Sequence, residues 1–276
     1  MALQSSGQIS ITDIKTELNS SSYSLRTLST EAGKTAPDAM SEFYGYSNFT
    51  SLPVTSSLVF SIQADDPASY SGTGTAITDT SGVGDGATLQ GGASWVSTGG
   101  KYWYCDGVND YISVDPYRLP IYATYVTVAK SPTTNWNNYA GLGSSRRGGG
   151  FIFHNDTGAT TWRAYYYGQY TSQINVIGSG LSSTPTDWSM YTIVTHAYSS
   201  PYHLAYYNNS LVASSTAGYQ RSTDPAVGPV IYLGRDDPSV GSRFNEIYIH
   251  AFLMYSAPLS STDISALWNY FDAKLP

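Results

Sequence analysis

The sequence predicts a mainly β protein: an antiparallel β-sandwich preceded by a short helical segment and followed by one helix. Three observations carry this. Charged residues are only 12% of the 276 while aromatics reach 14%, with 25 Tyr, a composition unlike that of helical or disordered chains. Short runs of alternating apolar and polar residues recur, separated by Gly, Pro, Asn and Asp clusters. The single cysteine, Cys105, rules out an internal disulfide, and a chain of this length buries enough surface to fold without one.

Residues 1–50 read as a separate N-terminal segment, with 51–276 as the sandwich. The segment holds three of the four glutamates, Glu17, Glu31 and Glu42. Thr12 is placed to cap a helix over Asp13–Leu18, with acidic residues near its start. Pro37 and Asp38 open a second turn over Ala39–Tyr44, closed by Gly45. Its apolar residues, among them Ile9, Ile11, Ile14, Leu18, Met40, Phe43 and Tyr44, are too few for an independent core, so the segment has to dock on something larger.

From Leu58 onward the period is that of strands. Leu58, Phe60 and Ile62 alternate, and similar runs follow at 102–106, 111–115, 121–129, 151–154, 161–167, 190–197, 202–207, 230–233 and 244–255. In the last run Ile247, Ile249, Ala251 and Leu253 are expected on one face, and Phe244, Glu246, Tyr248, His250 and Phe252 on the other. Ser260 with Asp263 three residues on forms a capping box with Asp in the Glu place. Ile264, Leu267, Trp268 and Phe271 then lie on one stripe, which should pack over the sandwich.

The stretch from Leu58 to Phe271, about four-fifths of the chain, resembles the concanavalin A-like, laminin G-like jelly-roll family. The resemblance rests on the opening strand from Leu58 to Tyr70, on Thr78-Asp79-Thr80-Ser81-Gly82 followed by Gly86-Ala87-Thr88-Leu89, and on Cys105-Asp106-Gly107-Val108-Asn109-Asp110-Tyr111-Ile112. Cys105 stands where a large apolar residue is usual. Late pieces are Ile231 to Asp236, Phe244 to Ile247, and Leu259-Ser260. The first 45 residues resemble a segment at the start of many tailed-bacteriophage virion proteins, through Gly7 to Leu18 and Met40 to Gly45. Together these resemblances imply a phage virion structural protein, a capsid decoration, head fibre or tail fibre, displaying a lectin-like domain. Its partners would be other virion proteins through residues 1–50, surface glycans, and further copies of the chain. A purely structural decoration protein without sugar binding is the alternative, and a depolymerase a weaker one.

Net charge is −7 with 13 basic residues thinly spread, so no basic face for nucleic acid or an anionic membrane is visible. The first residues show neither the basic nor the apolar region of a signal peptide. The expected location is a virion made in the host cytoplasm. Retaining glycoside hydrolysis needs two carboxyl groups about 5–5.5 Å apart, yet only Glu246 follows residue 50 among the glutamates, flanked on its own strand face by Phe244 and Tyr248. The residues therefore predict no enzyme. His154, His196, His203 and His250 have no zinc-like spacing, and Cys105 reads as a small buried hydrophobe.

Two kinds of binding site remain open. Asp65, Asp79, Asp106, Asn109 and Asp110 supply the oxygens that calcium takes, although Asp-Gly and Asn-Asp also build hairpin turns. Calcium is the one cofactor expected. Trp136, Asn137, Asn138 and Tyr139 in one connection, Arg146 at a hairpin tip, and Trp162 with Arg163 on a nearby strand combine aromatic faces with hydrogen-bonding groups, the mix that holds a sugar. The same residues are also enriched at subunit interfaces.

Overall fold

The computed structural model describes residues 3–4, 6–18, 20–44, 46, 51–115, 123–131, 151–155, 162–167, 174–176, 187–196, 203–215, 230–235 and 244–275; for 151–155, 162–167 and 174–176 it describes the backbone alone. Two helices come first, α1 (Ile11–Leu18) and α2 (Leu25–Glu31), then a 3-10 turn at Met40–Phe43. The strands follow: β1 (Leu58–Gln63), β2 (Ala76–Ile77), β3 (Ala87–Gln90), β4 (Ser94–Val96), β5 (Tyr102–Asp106), β6 (Tyr111–Val114), β7 (Ala123–Lys130), β8 (Phe151–Asn155), β9 (Trp162–Tyr167), β10 (Ile174–Val176), β11 (Ser189–Thr195), β12 (His203–Tyr207), β13 (Ser210–Ser215), β14 (Ile231–Leu233) and β15 (Glu246–Tyr255). Helix α3 (Ser261–Asp272) comes last.

The strands form an antiparallel sandwich. One eight-stranded sheet runs β13-β12-β11-β7-β15-β5-β4, with β1 also paired to β15; a second runs β14-β6-β3-β2, and β10-β9-β8 form a three-stranded piece. Between the sheets lies the main core, in which Phe60, Trp103, Ile112, Tyr125, Ile193 and Leu233 are among the buried residues. Cys105 is wholly buried there. Gly234, at φ +86°, lies against it: a Cβ at this glycine would meet the Cys105 sulfur at 3.3 Å.

Strand β15 organises the large sheet. It pairs along one edge with β7 and shares its other edge between β5, at residues 246–249, and β1, at residues 251–255. The ladder to β7 skips from Ile249 to Ala251, so His250 is an extra, bulged residue. A bulge reverses which face the following side chains take. Ile247, Ile249, Phe252 and Met254 therefore enter the main core, whereas Ala251, Leu253 and Tyr255 face α3. This corrects the unbroken alternation read from the sequence, which put Phe252 on the face opposite Ile247.

Helix α3 begins at the capping box expected for it. Ser260 Oγ donates to Asp263 Oδ2 at 2.7 Å and accepts from the Asp263 amide at 3.2 Å. Its stripe of Ile264, Leu267 and Phe271 is fully buried on the outer face of the large sheet, against Val126, Val128, Met190 and Leu253. Each such side chain contributes roughly 1.5–3 kcal/mol.

In the N-terminal segment, Ser10 rather than Thr12 caps α1: its amide and hydroxyl both donate to Asp13 Oδ2, at 2.7 and 2.8 Å. The backbone bonds of Thr12 are therefore already helical. Helix α2, capped by Ser24, was not legible from periodicity. Ile14, Leu28 and Phe43 make a small buried core, with Leu3, Ile9, Ile11, Leu18, Leu25 and Met40 packed around it. Tyr44 lies outside this cluster, 42% exposed, with its hydroxyl donating to the Gly7 carbonyl at 2.5 Å. The segment meets the sandwich at a buried ion pair, Glu17 Oε2 to Lys101 Nζ at 3.1 Å.

Candidate functional site

Helix α3 covers only part of the outer face of the large sheet. Beyond it, β5 and β15 alternate so that Trp103, Cys105, Ile247 and Ile249 go inward while Tyr102, Tyr104 and Tyr248 stand outward, half-buried. Tyr248 lies between the other two, at ring-centroid distances of 5.2 Å from Tyr102 and 5.1 Å from Tyr104. Trp188, just before β11, closes the row 5.5 Å from Tyr102. Polar groups flank it. Tyr104 OH donates to Glu246 Oε1 at 3.1 Å, Lys130 is the ladder partner of Tyr248, and Ser94 is that of Tyr104. Burial and then the bond to Glu246 push the Tyr104 hydroxyl up to about 12, so it stays a donor at physiological pH. The sequence signal for this row was there, a Tyr-x-Tyr run on one strand and a Tyr on its neighbour, but sequence reasoning put the binding aromatics elsewhere.

A cleft of about 270 Å³ opens where β1 and β5 part along β15. Residues of α1 (Thr16, Glu17, Leu18), the turn before β5 (Ser97, Gly100, Lys101), Asp65, His250 and the tail after α3 (Ala273–Leu275) line it. The His250 ring is 2% exposed and has its Nδ1 2.7 Å from the Lys101 carbonyl. Its Nε2 is 3.5 Å from Asp65 Oδ1. Asp65 Oδ2 accepts from Lys274 Nζ at 2.8 Å, and Lys274 also donates to Tyr270 OH. Burial pushes the Asp65 carboxyl up, but the charges of His250 when protonated, Lys274 and Lys101 outweigh it and hold the group below its ordinary value.

The five residues expected to ligate calcium fall in three places. Asp65 belongs to the cleft. Asp79 is committed to backbone: its two oxygens accept from the amides of Ser61, Ser81, Val83 and Gly84 and from the Ser81 hydroxyl. Asp106, Asn109 and Asp110 share the β5–β6 hairpin, where Asp106 Oδ1 accepts from the Val108 and Asn109 amides and Asp110 Oδ2 from the Asp106 amide. Among the described residues no three His, Cys, Asp or Glu side chains converge as a metal site requires. Of the residues expected to hold a sugar, Trp136, Asn137, Asn138, Tyr139 and Arg146 lie outside the described residues. Trp162 and Arg163 sit on β9, opposite Asn155 and His154 of β8.

No family model and no curated protein sequence matches the chain. Solved structures do share its fold. The sialidase of Trypanosoma rangeli in complex with sialic acid aligns over 82% of this chain and 35% of its own, at TM-score 0.59 and 13% identity. Domain 4 of AbnA, a GH43 extracellular arabinanase from Geobacillus stearothermophilus in complex with arabinotriose, aligns over 76% of this chain and 97% of that one, at TM-score 0.56 and 10% identity. A mutant of HCR/D aligns over 79% and 52%, at TM-score 0.58 and 15% identity. The chain thus spans about a third of the length of the sialidase it matches. At such identities the likeness shows the fold: an antiparallel, jelly-roll-like β-sandwich.

These findings correct the expectation that the chain is no enzyme. Glycoside hydrolases are among the proteins that share its fold, so the fold does not set hydrolysis aside. Glu246 is also not the sole acidic residue on its part of the sheet. Asp106 lies directly across the ladder from Glu246, and cross-strand pairs bring Cβ atoms to about 4.5–5.5 Å. Asp106 thus places a second acidic residue on the neighbouring strand, one that spacing along a single strand does not reveal.

Proposed function

We propose that this chain is a carbohydrate-binding β-sandwich whose glycan contact is the row Tyr102, Tyr248, Tyr104 and Trp188 on the outer face of the large sheet. The observation that carries the reading is this row of half-buried rings with Glu246 and Lys130 beside it. Aromatic faces take the apolar faces of sugar rings, while a carboxylate and an ammonium bond hydroxyls. The small Ser94 across from Tyr104 leaves space beside that ring. Neighbours of the same fold add support: the sialidase is in complex with sialic acid and the arabinanase domain with arabinotriose. The finer reading is that residues 1–50 attach the sandwich to a virion, where many copies raise avidity by about 10²–10⁴. Its support is the resemblance of residues 7–18 and 40–45 to virion-protein starts. Screening the chain against arrayed bacterial surface glycans tests the first reading. Binding that the Tyr248→Ala variant loses supports it, and no binding to any glycan counts against it.

The Asp106 and Glu246 pair favours a second reading, cleavage of the bound glycan, because it lies at one end of the aromatic row. Release of reducing ends that disappears in Glu246→Gln would establish it, and release unchanged by that substitution would place the chemistry elsewhere.

A further inference from the structure

Of the basic side chains that the structure describes, all but Lys130 are committed to a partner. Lys15 lies over the Tyr23 ring, Lys34 over Phe43 and Tyr46, and Arg235 over Tyr111, Tyr232 and Phe244. Arg26, Lys101 and Lys274 pair with Asp38, Glu17 and Asp65. Among the described residues, Lys130 has no carboxylate beside its ammonium and no ring beneath it. It is half-buried at the end of β7, so part of it reaches solvent.

The register puts this cation inside the aromatic row. Lys130 is opposite Tyr248 of β15. On its other side Ala129 is opposite Ser189, and Trp188, the next residue out, comes beside Lys130. Strands two apart in a sheet lie about 9.4–9.8 Å from each other, yet the Trp188 and Tyr248 ring centroids are 6.5 Å apart. Both rings therefore lean over the strand that carries Lys130. The carboxylates stand elsewhere. Glu246 and Asp106 face each other two residues back along β15, about 6.6–6.8 Å away in the strand direction, and Glu246 is bonded to the Tyr104 hydroxyl. The row thus has an acidic end at Tyr104 and an uncommitted ammonium between Trp188 and Tyr248.

A neutral sugar offers an ammonium only hydroxyl oxygens, which water replaces at little cost. An anionic group offers a charge-assisted bond, roughly twice as strong, where flanking rings exclude water on two sides. At physiological salt the Debye length is about 8 Å, so a group touching Lys130 meets its full charge while the carboxylates are partly screened. Resting on the row as the glycan contact, we propose that its ligand is an acidic glycan, with a singly charged carboxylate or sulfate ester set on Lys130 between Trp188 and Tyr248. The neutral part of the glycan lies over Tyr104, where Glu246 and Asp106 accept from its hydroxyls and turn an anion away. Lys130 then sets specificity, and the opposed charges fix the direction in which the glycan lies.

The test titrates the full chain with oligosaccharides of galacturonate, mannuronate and hyaluronan and with dextran sulfate. Each is run beside its uncharged counterpart, the methyl ester for the carboxylates and dextran for the sulfate. The proposal expects at least one acidic probe to bind. Its uncharged counterpart should bind at least about tenfold more weakly, the size expected of a hydrogen bond to a charged group. Lys130→Met should lose as much, Lys130→Arg should keep most of the affinity, and Tyr248→Ala should abolish binding. The series that binds tells carboxylate from sulfate ester. The uncharged counterparts need no variant, so the test stands even if Lys130→Met fails to fold. A counterpart bound as tightly as the acidic probe overturns the proposal, as does undiminished binding in Lys130→Met. If Tyr248→Ala still abolishes that binding, the row stands as a glycan contact and only its preference for acid falls. Binding of no acidic probe also overturns the proposal, and the row is then judged on the neutral glycans of the array alone.

Discussion

Tyr104 and Tyr248, on neighbouring antiparallel strands, stack with ring centroids 5.1 Å apart and planes 24° from parallel. The sheet ladder sets this pair directly opposite, and a stacked aromatic pair contributes about 0.5–1.5 kcal/mol beyond the area it buries. A double-mutant cycle with Tyr104→Ala and Tyr248→Ala should return a coupling in that range. Thermal or denaturant unfolding of the four proteins measures it, and strict additivity would mean that the rings stand apart in solution.

Gly234 and Cys105 predict a steric effect in the core. The glycine sits at φ +86°, where any side chain is strained, and an added Cβ would press on the cysteine sulfur. Gly234→Ala should destabilise the sandwich by about 1–3 kcal/mol. Burial pushes the Cys105 thiol far above its ordinary range, so it should react with thiol reagents in the native wild type only as fast as the protein opens. Faster modification in Gly234→Ala would trace the loosening to this contact.

His203 predicts a dependence on pH. Burial, and secondarily the nearby His196, lower its value from 6.5 to about 4, so the folded protein favours the neutral ring. The stability this confers is full above pH 6.5 and is lost as the pH falls from there through about 4, at most about 3 kcal/mol. Asp66 and Asp110, whose carboxyls burial raises, act the other way. The effect of His203 is therefore isolated by substitution: His203→Gln should flatten the fall in melting temperature over this interval. An unchanged slope would contradict it.

Much of the sandwich was legible in the sequence because period-two patterns are local. The run Tyr-Trp-Tyr-Cys-Asp fixed β5 at both ends, and Ser260 with Asp263 fixed the start of α3. Strands of two or three residues, such as Ala76–Ile77 and Ser94–Val96, are too short to show a period and are held by their neighbours. The bulge at His250 was invisible for a different reason. Nothing in Ile-Tyr-Ile-His-Ala-Phe marks it, and it arises where β1 and β5 divide one edge of β15. Both candidate sites depend on such long-range facts. The tyrosine row needs the register of β5 against β15, and the cleft needs α1, β1, β15 and the C-terminal tail in one place.

The most direct test of the central claim compares glycan binding and stability in Tyr104→Ala, Tyr248→Ala and Trp188→Ala, measured on the same preparations. These rings are half-buried and lie outside the main core, so each loss should cost well under the roughly 3–5 kcal/mol of a buried aromatic cut to alanine. The account predicts that binding to the glycan selected by the array falls at least about tenfold in each variant, a loss of about 1.4 kcal/mol, while the melting curve stays cooperative and close to that of the wild type. Undiminished binding in all three variants would contradict it.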